Sequence, residues 1–390
     1  MKKVKSKKYF NEKKKHILYF NSLSVFSYLC HGLIDKLFDM KTRNNLLQFM
    51  TIALVALAIA ACGGREKPGT DDGVGHKPAS RGLPFEMVVI VPEQAYEGEL
   101  SDSIDAVLRA STPVLPQHEP MFRLNVVWAD GNLTPFRTFR QRFIAKINPR
   151  VAKASIGVAR DVVAVPQIEV KAEAPSVHEL AQLIGRERQR ITDLFVEHEL
   201  DYMAESLHRK HNAATSKAFH ELTGHTICVP PALKASKRAK DFLWTGTNLN
   251  DRDQNFVYYS YPWDGQPLSP EQFVAKRDSA LKANIPGSTP NQWMQTARMK
   301  AGSGDAANER GGAEVPLILT RARTLNDMYV HEVHGLWEMH NGALGGAFVS
   351  LERIDTANSR VLVTEGFIYS PHSPKRTILR EMEAALRTFK

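Results

Sequence analysis

Apolar and polar residues alternate along this chain in patterns that assign most of its elements. Residues 85–91 form a near-continuous apolar run, as a buried strand does, and residues 100–110 show helical spacing through Ile104, Val107 and Leu108. Residues 121–128, 142–147 and 161–170 read as further strands, the first two separated by the turn residues Asp130, Gly131 and Asn132. Ser176 with Glu179 three residues on makes a capping box, which predicts a long helix reaching about Glu221 and stopped by Gly224. In the second half, residues 241–245 and 256–261 are strands, and Ser269, Pro270 and Gln272 start another helix. Residues 301–312 are Gly, Ala and polar, hence a loop. Four strands follow at 315–319, 329–339, 347–354 and 361–369. Ser373-Pro374 is expected to cap a closing helix whose apolar face is Ile378, Leu379, Met382, Ala385 and Leu386. Strands outnumber helices and are joined mostly by short turns, so the expected class is α+β with largely antiparallel sheets. A long mid-chain helix and a C-terminal helix would complete two lobes, residues 83–224 and 225–390.

One apolar stretch does not belong to the fold. Lys41 and Arg43 precede an apolar run over residues 46–61, broken only by Gln48 and Thr51, that ends in Ile59-Ala60-Ala61-Cys62. This is a secretory signal closed by a cysteine, and its small residues resemble the lipobox of bacterial lipoproteins, in which that cysteine is acylated. A membrane span needs about 20 apolar residues, and this run is shorter and is followed at once by Gly63 and Gly64. Residues 40–61 are therefore read as a signal peptide, residues 62–82 as a lipidated tether, and residues 1–39 as an extension preceding the true start at Met40.

That reading changes the charge. The whole chain has 51 basic and 42 acidic residues, but nine lysines and three acids lie in residues 1–39 and two more cations in the signal. The remaining 40 basic and 39 acidic groups nearly cancel, so nothing favours nucleic acid as a partner. Of three cysteines only Cys228 is left in the body, within the apolar run Ile227-Cys228-Val229, where a buried thiol is expected and no disulfide can form.

No hydrolase elbow, phosphate loop, dinucleotide fingerprint or paired-cysteine motif is present, so catalytic residues are unassigned and no cofactor is expected. In a strand through residues 329–340, Glu332, His334, Glu338 and His340 share one face and His331 the other. His334, Glu338 and His340 are thus candidate metal ligands, although a hydrated polar face gives the same pattern. Trp244, Tyr258, Tyr259, Tyr261, Trp263 and Trp293 can stack on sugars or peptides, or fill a core. Gly345-Gly346 reads as a tight backbone passage before the strand at 347, a turn rather than an anion nest. Glu365 stands in the apolar stripe Val361, Val363, Phe367, Tyr369, so it should be buried and paired, with Arg376 and Arg380 of the closing helix as partners. A working acid with raised pKa and an exposed position are the alternatives.

Certain residues carry a resemblance that covers about residues 83–388. They are Leu115-Pro116-Gln117 with Glu119-Pro120, Asp161-Val162-Val163-Ala164 with Pro166-Gln167, and Arg277-Asp278-Ser279 with Ile285-Pro286-Gly287. Near the end come Gly335-Leu336-Trp337-Glu338, Gly345 to Ser350, Glu365 to Tyr369 and Lys375-Arg376. Together they resemble a family of bacteroidete lipoproteins whose domain has no known function; the chain departs from it at Ala347, where the family usually has proline. The resemblance implies lipidation and an envelope location, makes Trp337 and Glu338 candidate site residues, and implies no catalytic residue. Surface-exported lipoproteins of these bacteria tend to carry acids just after the cysteine. Gly63-Gly64-Arg65-Glu66 does not match that, so the expected place is the outer membrane, facing the periplasm.

Two functions fit. The first is a non-enzymatic lipoprotein, attached to the membrane through Cys62, that binds an envelope protein or glycan. The second is a carboxylate-dependent hydrolase of envelope glycan or peptidoglycan, since glycosidases need only two acids and leave no compact signature. The intact mass of the native protein should correspond to a chain beginning at acylated Cys62; a mature polypeptide retaining any of residues 1–39 contradicts the reading.

Overall fold

The computed structural model describes residues 77–300 and 314–390, all within one compact unit, His76–Lys390. Residues 1–39, the signal 40–61, Cys62, most of the tether and the loop expected at 301–312 lie outside the described residues. The class is α+β, with six helices among the described residues and sheets that are largely antiparallel.

The smaller sheet departs from that majority. Strands β1 (Glu86–Val91), β2 (Arg123–Trp128), β3 (Gln141–Ile147), β4 (Ser155–Arg160) and β5 (Ile168–Ala174) lie in the order β2-β1-β3-β5-β4. All its pairings are parallel except that of β4 with β5. Parallel neighbours need a crossover. The first crossover is α1 (Glu99–Leu108), which buries Leu100, Ile104, Val107 and Leu108 against Met87, Val89 and Val91 of β1. Of the strand expected at 161–170 only 168–170 belong to β5, and 161–167 are a turn between β4 and β5. Its apolar residues divide, Ala164 buried and Val162 and Val165 exposed, and a cis Val165–Pro166 bond lies within it. Gln167 holds the turn by donating to the Arg137 and Phe139 carbonyls and accepting from the Val163 amide.

The long helix is three. The Ser176 hydroxyl accepts the Glu179 amide at 3.2 Å and starts α2 (Val177–Arg186). The chain then pauses at Glu187 before α3 (Arg188–Arg209). Asn212 caps the Thr215 amide at 3.0 Å to start α4 (Ala213–Thr223), which ends at a left-handed Gly224 with φ of 76°. An interior asparagine that can bond its own backbone ends one helix and begins another.

The larger sheet follows the alternation closely. It is antiparallel throughout, in the order β12-β13-β14-β15-β8-β7-β6. In chain order its strands are β6 (Ala235–Ala239), β7 (Phe242–Gly246), β8 (Asp253–Pro262) and β9 (Trp293–Thr296), which pairs with the end of β13. Next come the small separate pair β10 (Arg298–Lys300) and β11 (Glu314–Pro316), then β12 (Ile318–Leu325), β13 (Met328–His340), β14 (Gly345–Asp355) and β15 (Arg360–Tyr369). One face, with Val257, Tyr259, Val361, Val363 and Phe367, packs on α5 (Pro270–Asn284) through Phe273, Val274 and Leu281. The other, with Phe256, Tyr258, Leu362 and Ile368, packs on α4 and on α6 (Arg376–Arg387). Helix α6 also places Ala384 and Ala385 in the core that α3 shares with the smaller sheet.

Ser373-Pro374 does not cap α6. The helix starts at Arg376, and the Glu119 carboxylate, distant in sequence, accepts the Lys375 and Arg376 amides at 2.7 and 2.9 Å. An anion at a helix N-terminus satisfies orphan donors and opposes the macrodipole. Gly345-Gly346 is the tight passage expected but not a turn; both residues open β14, where the chain passes close to β15. A Cβ on Gly346 would lie 2.0 Å from the Ile368 carbonyl oxygen and 2.9 Å from the Trp337 indole nitrogen. Gly346→Ala should therefore destabilise by about 1–3 kcal/mol or more, since backbone cannot yield as a side chain can. Gly185→Ala, in open space on α2, should stabilise by about 0.5–1 kcal/mol. Thermal unfolding of the two variants checks both signs.

Candidate functional site

Helix α3 is buried on two sides because Glu197 and Glu199, two residues and roughly 200° apart around a helix, face different neighbours. Glu199 turns to the smaller sheet and is fully buried with Arg140, whose guanidinium reaches it at 2.8 Å, while Gln141 donates at 2.7 Å. Glu197 turns the other way. It accepts both terminal nitrogens of Arg387 on α6, at 2.6 and 3.0 Å, and Arg323 of β12 at 2.7 Å. Arg323 continues to Glu332 on β13 at 3.0 Å, and Glu332 takes His334 Nε2 at 2.9 Å. Arg380 and Glu383, one turn apart on α6, close the group at 2.6 Å, with Arg387 3.6 Å from the second Glu383 oxygen.

Glu197, Arg323, Glu332, His334, Arg380 and Glu383 line a cavity of about 420 Å³ between α3, α6 and the β12–β13 hairpin. Its apolar lining is Met121, Val196, Leu319 and Leu379, with Thr112 and Thr192 beside them. At the mouth, Arg321 and Asp193 bridge strand to helix at 3.3 Å. Burial would push the Glu332 carboxyl up, but the His334 hydrogen bond and the Arg323 and Arg387 charges outweigh it and hold the group at about 2. Glu197 is likewise raised by burial and drawn down to about 2 by Arg387 and Arg323. Neither is a proton donor at neutral pH.

Glu332, His334 and Glu383 bring potential ligand atoms within 4.8 Å of one another. Yet each carboxylate already carries an arginine, so a cation entering here would have to displace guanidinium groups, and the set suits an ion-pair network better than a metal centre. Of the expected metal residues only His334 is here. Glu338 accepts Gln295 at 2.9 Å, and His340 stacks on Trp293 with ring centres 4.0 Å apart, because β9 covers that end of β13. Trp337 is a core residue that donates to the Ile368 carbonyl at 3.1 Å. Tyr258, Tyr259 and Tyr261 are buried in the two faces of the larger sheet. Cys228 is a buried free cysteine whose thiol is pushed up by burial, as an inert thiol would be.

Glu365 is fully buried, as the alternation requires, but Arg376 and Arg380 are not its partners. Arg277 of α5 makes two bonds to it at 2.8 Å, and Ser350 donates at 2.6 Å. The closing helix covers the even positions of β15, where Gly366 meets Met382; Glu365 is odd and faces α5. Arg376 instead donates to the Pro120 and Met121 carbonyls, and Arg380 to Glu383. Sequence reasoning missed Glu197, Arg323, Glu383 and Arg387. The spacings Asp193–Glu197–Asp201 on α3 and Arg380–Glu383–Arg387 on α6 were visible charged rows, but nothing local says that the two rows meet.

Residues 212–388 match the family model described as Domain of unknown function (DUF4837), and residues 80–208 match that described as Domain of unknown function (DUF8532). The matches meet between the end of α3 and the Asn212 cap of α4. No curated protein matches the chain.

Two outcomes follow from the charges. Glu365→Ala should destabilise by roughly 3–5 kcal/mol because it strands Arg277 in the core, whereas replacing both by a well-packed apolar pair should recover most of that loss; equal loss in the single and paired variants would contradict it. Glu197 and Glu332 have folded values below the ordinary 4.5, so their stabilisation is complete above about pH 4.5 and is lost as pH falls toward about 2. Denaturant titrations of wild type should show that acid limb. In Glu197→Gln/Glu332→Gln it should be shallower by roughly 2–3 kcal/mol.

Proposed function

We propose that this chain is an envelope lipoprotein, anchored through acylated Cys62 in the outer membrane and facing the periplasm, that binds a partner without catalysis. The resemblance to bacteroidete lipoproteins and the signal ending at Cys62 support the anchor. The observation that carries the binding reading is that the acids flooring the seam cavity are neutralised by arginines. A glycosidase needs a carboxylic acid that keeps its proton, and Glu332 is held at about 2.

The chemistry of the cavity favours a protein partner over a glycan. Its lining among the described residues includes no Phe, Tyr or Trp for sugar stacking. Beside it runs β12, which ends the sheet order and pairs through its ladder with β13. An extended peptide can add to that edge while its side chains enter the cavity. Leu319, 52% exposed at the rim, offers apolar contact.

Cys62→Ala should release the protein from membranes, since no described helix is long and apolar enough to cross one and lasting attachment takes more than one acyl chain; retention through high-salt and carbonate washes contradicts the anchor. Crosslinked envelopes should yield a defined protein partner with wild type and with Lys237→Glu, on the opposite edge strand, but not with Leu319→Glu, which puts a charge in place of the apolar contact on the cavity face of β12. Release of soluble fragments from purified peptidoglycan by wild type, abolished in Glu332→Gln, would establish the hydrolase instead.

A further inference from the structure

We infer that the end of the fold where the tether enters is a docking face for an anionic lipid headgroup surface. The inference rests on the lipid anchor proposed above and adds to it an orientation of the folded unit on the bilayer.

The last residues of the expected tether are part of the fold. Residues 77–83 lie across two loops: the Ser80 amide donates to the Val165 carbonyl at 3.0 Å and the Val165 amide to Pro78 at 2.9 Å. Arg81 bonds through its amide to Thr138 and through its carbonyl to Arg140, at 2.9 and 2.8 Å. Three segments, 77–83, 133–140 and 161–167, are thereby stitched into one surface.

That surface joins apolar side chains to unpaired cations. Leu83, Val162 and Val165 are 56, 42 and 44% exposed, and Phe136 and Phe139, with ring centres 5.9 Å apart, line an open hollow beside Leu83. Arg81, Arg137 and Arg160 are exposed, and none makes an ion pair among the described residues, in contrast to the arginines of the seam. The nearby acids are engaged locally, Glu86 by the Leu83 amide and Asn125, and Asp161 by the Gln167 amide. Cations around a small apolar patch suit an interface of anionic headgroups over acyl chains, where basic groups are attracted within a Debye length of about 8–10 Å.

The tether supplies proximity. Fourteen residues lie between Cys62 and Lys77, five of them Gly, and by the general relation for Gly-rich sequences that number spans about 20 Å on average. The patch is therefore held near the bilayer at high effective concentration, and weak contacts suffice to seat it.

The full lipidated protein, anchored in phosphatidylcholine vesicles with or without phosphatidylglycerol, tests the inference by amide hydrogen exchange. Segments 77–83, 133–140 and 161–167 should exchange several-fold more slowly with the anionic lipid only. The protection should vanish in high salt and in Arg81→Glu/Arg137→Glu, while the protein still sediments with vesicles and melts as wild type. Equal exchange on both vesicles, salt-insensitive protection, or protection confined to α3 and β12 would overturn it. Failure to sediment would instead refute the anchor; the same exchange measured with the unanchored chain and excess anionic vesicles then decides the docking face by itself.

Discussion

The bidentate contact of Arg387 with Glu197, extended through Arg323 to Glu332 and His334, is the constraint on which the arrangement of this molecule depends. It joins a helix packed on the smaller sheet to a strand and a helix of the larger one. Its members are drawn from four elements, so no one element can shift without leaving a charge unpaired in a half-buried place, which costs several kcal/mol. The same pairing underlies the binding role proposed for the cavity above it, since groups held as ion pairs are poor proton donors.

Each sheet has its own buried version of this device. Arg140–Glu199 ties α3 to the smaller sheet and Arg277–Glu365 ties α5 to the larger. In both, additional donors satisfy the carboxylate, Gln141 in one and Ser350 in the other. Such pairs seldom add net stability over apolar packing, but they penalise every arrangement in which the partners do not meet. Since α3 presents Glu197 and Glu199 to opposite sides, one helix carries both the internal and the bridging pair. Motif residues of the sequence resemblance make the second of these pairs, Arg277 and Asp278 with Glu365 and Thr296, and also the cap of α6, Gln117 and Glu119 with Lys375 and Arg376.

Where one local period rules, the sequence was legible. Alternation placed β13, β14 and β15 to within two residues and marked Glu365 as buried. It could not name the partner, because alternation tells which face a residue joins and not which helix covers that face. The apolar run 162–165 misled for a related reason: part of it covers a loop-borne surface, and Pro166 lacks the donor a ladder needs. The seam was illegible because its partners lie far apart in sequence, up to 190 positions for Glu197 and Arg387. Long-range charge pairing leaves no local period, only charged rows on helices that solvent could equally well occupy.

The clamp that the seam makes between the two sheets can be tested on the Glu197–Arg387 pair itself. In a double-mutant cycle of Glu197→Gln and Arg387→Met, followed by denaturant unfolding at neutral pH and moderate salt, the two changes should be coupled by about 1.5–3 kcal/mol. Strictly additive losses would mean that Glu197 and Arg387 act independently, and would contradict the role given to the seam.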